Sequence, residues 1–101
     1  MTTTITDRLQ ELQQRFLAGL ERRTNDLTTT LNGSADPESL MRMFHSLVGI
    51  GGTYGFPGIT DLGRSCEALC ASAIDERRSI SSAEKERLRR AVVEIRAVSP
   101  Q

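Results

Sequence analysis

Histidine is the side chain whose ordinary pKa lies closest to neutrality, so a neutral imidazole offers a nucleophilic ring nitrogen without a strong base to activate it. The chain of 101 residues contains one, His45, followed by glycines at Gly49, Gly51, Gly52 and Gly55. Leu40, Met43, Phe44, Leu47 and Ile50 recur at helical spacing through the same stretch, which argues for a helix rather than a loop. About three interior glycines then cost that helix roughly 3 kcal/mol relative to alanine. Such a cost asks for a reason. Gly49 stands four residues beyond His45 on the same face, and its missing side chain leaves the imidazole open to a large incoming partner. Gly51 and Gly52 would let a neighbouring helix come close. At about 100° per residue the apolar stripe centres near Leu40 and Leu47, and His45 projects roughly 160° away, toward solvent. A lone surface histidine is most often without a role; the glycines beside it argue otherwise.

Other chemistries fit less well. The glycine run fails the dinucleotide pattern GxGxxG, because Tyr54 stands at the third glycine, and it has neither the GK[ST] ending of a P-loop nor a preceding strand. One histidine and two cysteines, Cys66 and Cys70, four apart on another helix, do not make a metal set, and reduced thiols in a cytoplasmic protein are expected. Thirteen basic and thirteen acidic residues give a net charge of +0, with no footprint for nucleic acid beyond Arg87, Arg89 and Arg90, which read as a solvated helix face. No apolar window is long enough to span a membrane, and no signal peptide is visible at the amino end. A chain of this length suits one domain with a single modest core, here residues 1–101, and is too short for the paired domains of most cofactor-dependent enzymes.

The elements that must position His45 read as four helices, near 5–31, 37–54, 58–74 and 82–98. The first carries Ile5, Leu9, Leu12, Phe16, Leu20, Leu27 and Leu31, with a polar gap at Thr24, and Asn32-Gly33 ends it. Asp36-Pro37 supplies an N-cap and a first-turn proline for the second, which Gly55-Phe56-Pro57 closes. The third carries Ile59, Leu62, Cys66, Leu69 and Ala73. Ser81 with Glu84 has the form of a capping box and opens the fourth, with Leu88, Val92, Ile95 and Val98 as its apolar side. Short links and no period-two alternation point to an all-α fold, an antiparallel four-helix bundle.

With these residues in place, the segment from His45 through Gly49 and Gly55 to Phe56 resembles the phosphorylation motif of histidine phosphotransfer (HPt) domains. It is most similar to the phosphotransfer domain of chemotaxis histidine kinases. That motif runs histidine, lysine-glycine at the third and fourth positions after it, and glycine at the tenth; Gly49 and Gly55 match. In the chemotaxis type a basic residue and a glutamate follow 19 and 22 residues after the histidine, here Arg64 and Glu67. The family lysine is replaced by Val48, which removes a cation near the phosphoryl oxygens.

The resemblance implies a phosphorelay intermediate that accepts and donates a phosphoryl group on His45, with no ATP site of its own. Glu67 would accept a hydrogen bond from one ring nitrogen and orient the imidazole, and Arg64 would contact phosphoryl oxygens. Taken alone, Arg64 and Glu67 three apart on one helix would be an ordinary exposed salt bridge. Met41, Arg42, Val48, Gly49 and Gly52 would form a docking surface for receiver domains of response regulators and hybrid sensor kinases. No cofactor is expected in this chain; the receiver would bring magnesium, and the protein would act as a monomer. Val48 also admits a second role, an adaptor that docks on receiver domains without carrying phosphate.

Overall fold

The chain forms four helices, α1 (Ile5–Asn32), α2 (Pro37–Tyr54), α3 (Pro57–Asp75) and α4 (Ser82–Arg96); polar side chains cap the starts of α1, α2 and α4, whereas α3 begins at Phe56-Pro57 without a side-chain cap. The computed structural model describes residues 4–98, so the first and last three residues of the expected domain lie outside the described residues. Asp36 caps α2, its Oδ2 accepting from the Ser39 amide at 3.1 Å and the Ser39 hydroxyl at 2.8 Å. Ser81 and Glu84 form a reciprocal capping box on α4, which satisfies two otherwise orphaned amides. A second box, Thr4 with Asp7, opens α1.

The ends differ from one another. Gly55 takes the left-handed conformation, φ +84°, and lets the Phe56 amide return to the Gly51 carbonyl at 2.8 Å, a C-terminal stop that L side chains resist. Gly33 follows α1 with φ −95°; the positive φ in that turn falls on Ala35 instead, whose amide reaches back to the Thr30 carbonyl at 2.8 Å. The fourth helix stops at Arg96, and Val98 lies beyond it, partly buried.

The helices pack as an all-α antiparallel bundle in which α1 borders α2 and α4, and α3 borders α2 and α4; no diagonal pair approaches within 8 Å between Cα atoms among the described residues. The α2–α3 seam is the most extensive. Phe44, Phe56, Leu27, Leu40, Leu47 and Ile95 are among the fully buried side chains. Phe16 stacks on Tyr54 with ring centroids 5.9 Å apart and meets Phe56 at 5.1 Å, closing one end of the core.

Packing corrects the periodicity in three places. Thr24 is no gap in the stripe of α1. It is fully buried, its hydroxyl donating to its own helix at the Leu20 carbonyl (2.9 Å) and accepting from Arg96 Nε of α4 (2.7 Å), so a polar residue enters the core with its hydrogen-bonding capacity used. The first turns of α1 are uncovered: Ile5 is 88% exposed, because this 28-residue helix outruns its 15- to 19-residue neighbours. On α3 the deepest positions are Ile59, Gly63, Cys66, Cys70 and Ala73, and Leu62 and Leu69 flank them half-buried. No helix among the described residues is long and apolar enough to cross a membrane.

Candidate functional site

His45 sits in the third turn of α2, between the buried Phe44 and the exposed Ser46. Its side chain is 76% exposed, as expected for a residue on the far side from Leu40 and Leu47. Gly49, one turn on, has nothing within 4 Å of where a Cβ would stand. The imidazole is therefore approachable along the face that runs from it toward the C-terminal end of α2.

From α3, Glu67 reaches the ring: Oε2 lies 3.0 Å from His45 Nδ1, across 22 residues of sequence. The carboxylate can only accept, so Nδ1 carries the proton of this hydrogen bond, and in the neutral imidazole Nε2 keeps its lone pair. Glu67 is 24% exposed against 76% for His45, so the carboxylate is the better shielded of the two. Such a bond selects one tautomer and leaves the opposite nitrogen the more basic.

The remaining residues singled out by sequence are distributed around this pair. Arg64 is exposed on α3 and makes no hydrogen bond or ion pair among the described residues, so Glu67 is joined to the histidine rather than to Arg64. Met41 is partly buried at the core edge. Arg42 is exposed, with a long contact of 3.5 Å to Ser39 Oγ. Val48 is half-buried and turned into the seam with α3, its Cγ2 close to Gly63. Gly52 is exposed, and a Cβ there would make only an ordinary contact of 3.7 Å with Thr60 Oγ1. The close approach expected of both Gly51 and Gly52 belongs to Gly51, where a Cβ would lie 3.1 Å from Ile59 Cγ2 and from Thr60 Oγ1.

Sequence reasoning passed over Gly63. It stands at core spacing between Ile59 and Cys66, and that signal, a costly helix glycine on a buried stripe, was available. Behind the site the two thiols are buried and free. Burial pushes the Cys66 thiol up to about 12 and the Cys70 thiol up to about 11, so both are neutral at physiological pH. Among the described residues no group of three or more histidine, cysteine, aspartate or glutamate side chains is placed to hold a metal ion. An open groove of about 670 Å³ runs between α1 and α2, lined in part by Arg23, Asp26, Arg42 and Ser46, beside the histidine face without including it.

Compared with known proteins, residues 8–98 match the family model described as Hpt domain. No curated protein and no solved structure matches the chain.

Proposed function

This chain belongs to the Hpt domain family, whose members are phosphotransfer modules that act on a histidine, lack ATP-binding kinase sites and interact with receiver domains, and we propose that it carries a phosphoryl group on His45 between receiver-domain aspartates. The observation that supports this reading is the imidazole itself, 76% exposed and held through Nδ1 by Glu67 at 3.0 Å.

In the forward step the Nε2 lone pair attacks the phosphorus of an aspartyl phosphate on the receiver, the N–P bond forms, and the P–O electron pair leaves with the aspartate carboxylate. No proton has to be moved. The Nδ1 proton stays against Glu67, whose negative charge offsets the positive charge that the ring gains as Nε2 bonds to phosphorus. Arg64, exposed and unpaired among the described residues, is the cation we assign to the phosphoryl oxygens. Donation to a second receiver is the same step reversed. Transfer of this kind needs positioning and charge stabilisation more than covalent work by the protein, and a magnesium ion in the receiver would neutralise the oxygens from the other side.

The open face around Gly49, with Met41, Arg42, Val48 and Gly52 at its borders, suits a small transient interface of the kind a relay must release. Receivers of response regulators and hybrid sensor kinases are the partners we assign to it, with this chain acting as a monomeric single domain. Val48 in the place of the motif lysine favours one other reading, an adaptor that docks without accepting phosphate. Incubation with a receiver domain carrying labelled phosphate separates the two. Acid-labile, alkali-stable label should appear on this chain and be absent from the His45→Gln variant. A stable complex without label overturns the relay in favour of the adaptor.

A further inference from the structure

The seam between α2 and α3 is built from glycines that alternate between the helices. In α2, Gly51 admits Ile59 and Thr60 of α3. One layer further, in α3, Gly63 admits Val48 of α2: a Cβ at Gly63 would stand 2.7 Å from Val48 Cγ2 and 3.4 Å from the Phe44 carbonyl oxygen. The Thr60 hydroxyl donates to the Val48 carbonyl at 3.2 Å, pinning the register between these layers. The next layer is His45 and Glu67, joined at 3.0 Å. Gly63 lies one helical turn from Glu67, and Val48 about one turn from His45, so the height of the contact beneath the pair sets the gap that Glu67 must cross.

We infer that Gly63 is a positioning residue, with Val48 seated on it, and that their contact holds α3 near enough to α2 for Glu67 to keep the Nδ1 proton of His45; its consequence for transfer rests on the proposed function. Valine has two heavy atoms on Cβ and one strongly preferred rotamer in a helix, so Cγ2 cannot swing aside. Carbon atoms pack at about 3.5–4.0 Å, so a methyl at Gly63 forces the helices apart by about 1 Å. The Glu67 bond then leaves hydrogen-bonding range. Val48 thus has a use in this chain that lysine at the same position would not serve with the same shape.

Because His45 is the only histidine, the ring nitrogens of ¹⁵N-labelled protein give one pair of signals in an NMR spectrum. The unmodified chain should show a protonated Nδ1 and an unprotonated Nε2 above the pH at which the ring is protonated, and Glu67→Ala, which leaves no acceptor, supplies the baseline for a released ring. Gly63→Ala should move the signals to that baseline and slow phosphoryl transfer roughly tenfold. The double variant Val48→Ala with Gly63→Ala, which shifts the methyl from one helix to the other, should fold and return the ring signals to those of the unmodified chain. Unmodified signals in Gly63→Ala overturn the inference, as does a folded double variant that stays at the Glu67→Ala baseline. Where Gly63→Ala does not fold, the double variant decides alone. If the unmodified chain accepts no phosphate, the relay fails while the ring signals still judge Gly63.

Discussion

At the scale of the residue, the division of labour between the two ring nitrogens of His45 carries the proposed chemistry. Nδ1 is occupied by a carboxylate that can only accept, so in the neutral ring the free lone pair belongs to Nε2, on a side chain with 76% of its surface in solvent. Removing the carboxylate returns the ring to an equilibrium of tautomers and removes a compensating charge. Glu67→Ala is therefore expected to slow phosphoryl transfer by about tenfold or more while the helical circular dichroism is unchanged. Transfer at the unmodified rate would take Glu67 out of the mechanism. His45 was legible in the sequence because helical periodicity alone sends it away from Leu40 and Leu47. Glu67 was not legible in that way. Its placement followed from the resemblance, since nothing in the spacing along α3 reports which residue of α2 it faces.

At the scale of the element, the start of α4 is capped by a side chain whose ionisation can be followed. Glu84 accepts from the Ser81 amide and is bridged twice by Arg78, at 2.6 and 3.0 Å, and these bonds hold its carboxyl well below the usual 4.5, at about 2. A depressed folded-state value stabilises the fold above the unfolded-state value, and the contribution is lost as pH falls through the folded one. The window here is from about 4.5 down to about 2. The melting temperature of the unmodified chain should fall through that window more steeply than that of Arg78→Met, measured side by side; parallel curves would show that the pair does not stabilise the fold. The cap pattern Ser81 to Glu84 was visible in sequence because capping is local, three residues apart. The Arg78 bridge and the left-handed Ala35 were not, since each depends on how a turn is folded against its neighbours.

At the scale of the molecule, the bundle places its two thiols behind the site, where burial raises them to about 12 and 11. Cys66 is 4% exposed and Cys70 fully buried, and the thiolate is the reactive form. An alkylating reagent at pH 8 is expected to modify them only as fast as the chain opens, so labelling should track unfolding as denaturant is raised. Rapid labelling of the native protein would mean that α3 separates from α4 far more readily than this packing allows.

By itself the sequence determined four amphipathic helices, the caps of α2 and α4, the left-handed Gly55, the family, and a histidine aimed at solvent. Apart from the family, which came from the resemblance of the His45 segment, these follow from spacings within a few residues, where the backbone geometry is the same in any fold. Only the tertiary structure decided which glycine makes the close approach, that Gly63 sits under Val48, that Thr24 is core, and that Nδ1 rather than Nε2 meets Glu67. Those outcomes depend on the height and rotation of one helix against another. That register is set by the summed fit of many side chains across a seam, a quantity no single helix encodes.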